Sequence, residues 1–266
     1  MDPSWWTANV GIPPFAQLTT YTGPCTITVA NTVIDSKVVN CRLVIRATGV
    51  VIRDSRINGG VTSDGNATVN LSRSLLDGGV NTDTTLPALG YHGITGDLLD
   101  LRGGQHSLQC DGFCDVRNSW LHAQTSPANR GYHNNAMISN GGHDVYLQHN
   151  RLECNPADNG NGGGCSGDAS LFGDFGNLSR FTFESNLFMA TPGSFCFYAG
   201  NEPSKPGKPD NIVVRNNVWQ RNNSGLPHAP NTRGCAYYGP VTSWDPSRPG
   251  MVWQNNTWDS GGPVPL

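Results

Sequence analysis

The stretch Val50–Gly60 reads V-V-I-R-D-S-R-I-N-G-G. Apolar and polar residues alternate and then stop at two glycines, which is a short strand followed by a turn. The phrase returns at Ala67–Gly79 (A-T-V-N-L-S-R-S-L-L-D-G-G), Cys114–Gln124, Val145–Asn155, Phe181–Phe188, Ile212–Trp219 and Met251–Trp258. Alignment stacks one small polar column: Ser55, Ser74, Ser119, Asn150, Asn186, Asn217 and Asn256. Two weaker copies place Ser36 and Leu99 in it, and the intervals are then 19, 19, 25, 20, 31, 36, 31 and 39 residues. A repeat this short cannot bury its own apolar face, so the copies must stack.

Strand-sized phrases with no helical period between them predict an all-β parallel solenoid. The polar column predicts a Ser/Asn ladder at a bend. Two flanking columns are expected to point inward. One is Val33, Ile52, Leu71, Val116, Leu147, Phe183, Val214 and Trp253; the other is Val38, Ile57, Leu76, Leu101, Leu121, Leu152, Phe188, Trp219 and Trp258. Side chains grow along both, so the later coils should be wider. An antiparallel β-sandwich is the competing fold, but hairpins do not repeat one register so often.

The repeat spans most of the 266 residues, which argues for one domain. The expected division is a cap over 1–24, tight coils over 26–122 and wide coils over 123–266. Trp5 and Trp6 would cover the apolar end of the first coil. Net charge is −3 and no basic run occurs, which argues against a nucleic-acid partner. No apolar stretch reaches membrane-spanning length. The start, M-D-P-S-W-W-T, lacks the basic and apolar regions of a signal peptide. The expectation is a mature form with an added Met, or release by another route.

Eight cysteines fall in neighbouring pairs, Cys25/Cys41, Cys110/Cys114, Cys154/Cys165 and Cys196/Cys235. An even count with local pairing points to disulfides and an oxidising compartment. No C-x-x-C spacing supports zinc, and no metal ligand is assigned. Asn81-Thr82-Asp83 matches a pectin-hydrolase motif, but the companion motifs are missing, so the match is read as chance.

The chain resembles secreted right-handed parallel β-helix proteins common in actinobacteria, a family also seen in phage tail components. The resemblance rests on A-N-V-G-I-P, Y-T-G-P-C-T-I-T, T-V-I-D-S-K-V-V-N-C, N-S-W-L-H-A-Q, G-G-C-S-G-D, F-G-D-F, V-W-Q-R and Y-Y-G-P-V-T-S-W-D. It implies a single-stranded right-handed parallel β-helix of about nine coils, wider toward the C-terminus, in a secreted or virion-surface protein. Where the family pattern reads H-x-[SD]-G-I-[RQ], this chain has H-N-N-A-M-I from His133. Phage relatives add a homotrimer to the monomer as an expected state.

Loops on a rigid solenoid are where function resides. The long ones are 123–136, 155–178, 199–211, 221–235 and 239–250, and all should lie on one flank. By fold analogy the partner is a polysaccharide. Hydrolysis needs two carboxyls, for which Asp168 and Asp174 are the candidates. β-Elimination on a uronate polymer needs a base or acid, from His133, Tyr198, Tyr237 or Tyr238. It also needs cations for the sugar carboxylate, from Arg130, Lys208 or Arg221, with Ca2+ as a cofactor only in this lyase reading. Binding without chemistry would use Tyr132, Tyr238, Asn135 and loop asparagines such as Asn222 and Asn223. Each has a plainer alternative: Asp168 and Asp174 as turn residues, Arg221 on loop carbonyls, and one ring of Tyr237-Tyr238 on a strand facing the core.

Overall fold

The structure, a computed structural model, describes residues 9–80, 86–221 and 234–266. The expected cap residues Trp5 and Trp6, the Asn81–Asp83 motif, and Asn222 and Asn223 lie outside the described residues.

One coil shows the plan. Val50–Arg53 is a strand, Asp54 and Ser55 turn the chain, and Arg56–Asn58 is the next strand. Gly59 and Gly60 turn it again into Val61–Ser63. Each strand pairs in parallel with its counterparts in the coils before and after. Among the described residues the result is three all-parallel sheets of 10, 9 and 9 strands. They are called here A (holding Arg56–Asn58), B (Val61–Ser63) and C (Val50–Arg53). This is a parallel β-helix, and the antiparallel sandwich is excluded. The A-to-B corner needs glycine: Gly59 has φ +123°, and a Cβ there would lie 2.6 Å from the backbone nitrogen of Arg42.

The inward columns make the core. Ile52, Leu71, Val116, Leu147, Phe183 and Val214 are fully buried behind sheet C, and Ile57, Leu76, Leu101, Leu121, Leu152, Phe188 and Trp219 behind sheet A. Each such side chain is worth roughly 1.5–3 kcal/mol of burial. The large rings sit late, with Phe188 and Trp219 stacked at 4.0 Å and 3°. Sheet B widens accordingly, from Leu43–Ile45 (3 residues) to Gly164–Leu171 (8 residues). At the C-terminal end Val264 is buried and its N–H bonds the Asn256 carbonyl at 2.9 Å, so the tail does run over the last coil.

The polar column is a hydrogen-bonded ladder at the C-to-A bend. The Ser55 N–H donates to Ser74 Oγ at 3.1 Å, Leu99 N–H to Ser119 Oγ at 2.9 Å, and Ser119 N–H to Asn150 Oδ1 at 2.9 Å. Asn150, Asn186 and Asn217 continue it to Asn256. Each of these four asparagines also donates its Nδ2 to a buried carbonyl, as Asn186 does to Leu147 at 2.8 Å.

The first copy corrects the sequence reading by one residue. Ile34, not Val33, pairs with Ile52, and Val39, not Val38, with Ile57. Ile34 and Val39 are fully buried, whereas Val33 is 57% exposed. Lys37 therefore stands in the ladder, its N–H donating to Ser55 Oγ at 3.0 Å. The Asp35-Ser36 pair imitates Asp54-Ser55 in sequence. Yet Ser36 takes the left-handed turn position (φ 54°) that Asp54 takes (φ 49°), and a one-residue slip exchanges the faces of a strand.

All four expected cysteine pairs form disulfides: Cys25–Cys41, Cys110–Cys114, Cys154–Cys165 and Cys196–Cys235. The last ties neighbouring wide coils together. Among the described residues no helix is long and apolar enough to cross a membrane.

Asn186→Ala should be among the most destabilising single changes outside the apolar core. It strands the buried Asn150 N–H and the Leu147 carbonyl, at about 3 kcal/mol for the pair. Urea unfolding should show a lower midpoint at unchanged slope; an unmoved midpoint would remove the ladder's energetic role.

Candidate functional site

The outer face of sheet B carries a groove where the coils are wide. One recess, about 680 Å³, is lined by Tyr91, His106, Asn135, Phe172, Asp174, Phe175, Glu202 and Lys205, among others. A second, about 310 Å³, is lined by Asp158, Ser166, Ser194, Tyr237 and Tyr238, among others. His133 and Tyr198 line both, so the two recesses are one groove. The parallel register builds its floor, pairing His106 with Asn135 and Gln109 with Ile138, and bringing Ser170 beside Tyr198.

Two loops make one wall, residues 172–177 and 200–208. They approach backbone to backbone, with the Gly207 N–H on the Gly173 carbonyl at 2.9 Å. A Cβ on Gly207 would run into the Gly176 carbonyl, so glycine is required there. The contact brings Asp174 and Lys205 together as an ion pair. Glu202 accepts a hydrogen bond from the Ser243 hydroxyl.

A chain of rings runs between the recesses. Phe172 and Tyr198 lie 5.2 Å apart, Tyr198 and Phe195 5.6 Å, Phe195 and Tyr238 5.7 Å, and Tyr238 and Tyr237 4.6 Å. Phe175 stands 87% exposed at the groove edge. Tyr237 and Tyr238 correct an expectation. Both are exposed and precede the strand Gly239–Thr242, so neither ring enters the core.

Burial shifts the titration of several groups along the floor. His106 is buried, and desolvation, aided by the nearby His133, lowers its pKa to about 3. It is a neutral imidazole, with Nδ1 3.4 Å from Asn135 Nδ2, and the Ser170 hydroxyl donates to Asn135 Oδ1 at 2.5 Å. His133 is exposed, with Nδ1 3.0 Å from Ser166 Oγ. Burial raises the pKa of the Tyr198 hydroxyl and of Tyr91.

Of the residues singled out in the sequence, His133, Asn135, Asp174, Tyr198, Tyr237 and Tyr238 meet in the groove. The other candidates do not line it. Asp168 is fully buried in the solenoid, its Oδ1 accepting the Cys154 N–H at 2.8 Å. Burial, with the Glu153 charge adding, pushes its carboxyl well above the usual carboxylate range. Lys208 Nζ is held by the carbonyls of Glu202 (2.5 Å) and Lys205 (2.9 Å). Arg221 stacks over Trp258 at 4.6 Å. The Arg130 carbonyl accepts from Asn159, and the Tyr132 carbonyl from the Gly164 N–H.

Sequence reasoning missed His106, Glu202, Lys205, Phe172 and Phe175. His106 lies in a tight coil, away from the long loops, and register alone carries it to the groove floor. Among the described residues no group of three or more His, Cys, Asp or Glu side chains could hold a metal ion. The chain matches no protein-family model, no curated protein and no solved structure. What the fold and the site define is a disulfide-linked parallel β-helix with an aromatic-lined groove on one sheet.

The position of Asp168 has a consequence for pH. Its folded pKa lies above the unfolded value of about 3.9, so the folded state holds a proton that the unfolded state releases. That stabilisation is complete below the unfolded value and is lost as pH rises toward the folded one. Asp168→Asn, which keeps an acceptor for Cys154, should flatten this decline in thermal melts between mildly acidic and neutral pH. A parallel decline in wild type and variant would show that Asp168 is not the titrating group.

Proposed function

We propose that the protein is an extracellular carbohydrate-active β-helix that binds a polysaccharide along sheet B and hydrolyses it between Asp174 and Glu202. The single observation that carries the reading is the run of rings, Phe172, Tyr198, Tyr238 and Tyr237, that line one groove. Sugar rings present C–H faces that pack on aromatic faces, while Asn140 and Gln109 offer hydrogen bonds to hydroxyls. The four disulfides fit an oxidising compartment. The resemblance to secreted actinobacterial and phage-tail β-helices supports the extracellular part of this assignment.

Hydrolysis requires one carboxyl to protonate the glycosidic oxygen as the C–O bond breaks. The other must accept the proton of the attacking water, or attack the sugar itself. Asp174 and Glu202 come from the two packed loops and line the same recess. In this reading Asp174 and Glu202 replace the pairing of Asp168 with Asp174.

A second reading, binding without cleavage, is favoured by one observation. Both carboxyls already have side-chain partners, Lys205 and Ser243, as groups that position rather than react often do.

A panel of polysaccharides separates the readings. New reducing ends mark hydrolysis, absorbance near that of an unsaturated uronate marks elimination, and retention without either marks a binding module. Tyr198→Ala should weaken retention by about tenfold or more. Asp174→Asn and Glu202→Gln should each lower turnover by roughly 10²–10⁴-fold while retention persists. Full turnover in both variants would remove the carboxyl pair.

A further inference from the structure

We infer that the groove selects an amino-sugar polymer carrying free ammonium groups and rejects a polyuronate, an inference that rests on the polysaccharide reading above. The lining charges decide it. Among the described residues, Asp158, Asp174 and Glu202 line the two recesses, against Lys205, which is paired with Asp174, and the imidazole of His133. Beside the groove, Asp111 bonds the lining Gln109 at 2.6 Å and the Asn140 N–H at 3.1 Å, a further carboxyl on the same face.

Two of the cations that the sequence aimed at a sugar carboxylate are engaged elsewhere. Lys208 serves two loop carbonyls, and Arg221 lies over Trp258. His106 is held neutral and offers no positive charge to an acidic sugar. A polyuronate brings one negative charge per residue into this cleft, and each unopposed like-charge contact in water is worth about fivefold in affinity.

A second observation points to ammonium. Tyr237 and Tyr238 are both exposed and stand at 88° to each other, and they line the same recess as Asp158. Two exposed rings and a carboxylate on one recess attract a cation by charge and by the ring quadrupoles together. A neutral N-acetylated sugar would keep the ring stacking and lose the charge.

The test is calorimetric titration with oligomers of glucosamine, N-acetylglucosamine and galacturonic acid of equal length, at a pH where the amine is charged. The expected order of affinity is glucosamine, then N-acetylglucosamine, then galacturonate, with the first advantage shrinking as salt rises. Asp158→Asn with Glu202→Gln should lower the glucosamine-to-galacturonate ratio by about fivefold per charge removed. Thermal melts of the double variant establish that it is folded. Galacturonate binding as tightly as glucosamine, glucosamine binding no tighter than its N-acetylated form, or an unchanged ratio in the folded double variant would each overturn the inference. If none of these oligomers binds, and neutral glucan and xylan oligomers do not bind either, the polysaccharide reading itself falls.

Discussion

Everything in this molecule depends on the hydrogen bonds that join one coil to the next at the C-to-A bend. The residue before each ladder position adopts a left-handed conformation: Asp54, Arg73, Leu98, Asn118, His149, Ser185, Asn216 and Asn255 all have φ between 43° and 59°. None is glycine, and each costs roughly 1–2 kcal/mol relative to a right-handed residue. The ladder offsets this. A buried asparagine that accepts an N–H from the previous coil and donates to a carbonyl makes two net bonds, each worth about 1 kcal/mol. More important, the alternative is a buried N–H with no partner. The bend is thus held by what its loss would expose, and one register is imposed on all three sheets.

That imposed register is what makes a groove. His106, His133, Ser166, Tyr198 and Tyr238 come from separate coils and have no local reason to meet. Parallel pairing places them side by side on sheet B, because strands fixed at one bend have no freedom to slide at the next face. Extra chain length in the later coils enters at both edges of sheet B, as in 153–163 before a strand and 172–177 after it, and not on the single flank that the sequence suggests. Residues 172–177 and 200–208 rise from sheet B and pack on each other through Gly173 and Gly207. A solenoid can lengthen its loops without disturbing its ladder, since the added residues lie outside the paired strands.

This explains which parts were legible in the sequence. The ladder, the inward columns and the disulfides each repeat, and repetition turns a weak local signal into a strong one. The first copy failed where repetition was weakest. Asp35-Ser36 matches Asp54-Ser55 as letters, while the burial of Ile34 and Val39 requires the other register. Site residues do not repeat. Asp174 was found because it lies in a long loop of the wide half, and Tyr198 because it adjoins one at the end of the strand Phe195–Ala199. Glu202 and Lys205 share such a loop, yet nothing in their spacing shows that Gly207 draws them against Asp174. Asp168 was misplaced because a charged residue in a glycine-rich segment reads as a surface turn. In fact the strand Gly164–Leu171 is buried for most of its length, and the carboxyl enters the core with it.

The interior beneath the groove departs from the rest of the solenoid in the same direction. The core behind sheets A and C is apolar, but under the groove Gln105, Gln124, Asn134 and Asp168 are buried together with Ser107. They bond one another's backbones: Gln105 to the His133 carbonyl at 2.8 Å, and Asn134 to the carbonyls of Gln105 and Thr125 at 2.9 and 2.8 Å. Yet Gln105 Oε1, Gln124 Oε1, Asn134 Oδ1 and Asp168 Oδ2 have no hydrogen-bond partner in the structure. An optimised core would carry leucine here, as the other faces do, since an unsatisfied buried polar atom costs about 1–3 kcal/mol. Rules of this kind are broken at functional sites and compensated elsewhere. The compensation is nearby: Cys154–Cys165 closes over this layer, and the asparagine rungs begin at Asn150. The polar interior fixes the strand His133–Ser139 through its backbone, and that strand carries His133 and Asn135 into the groove.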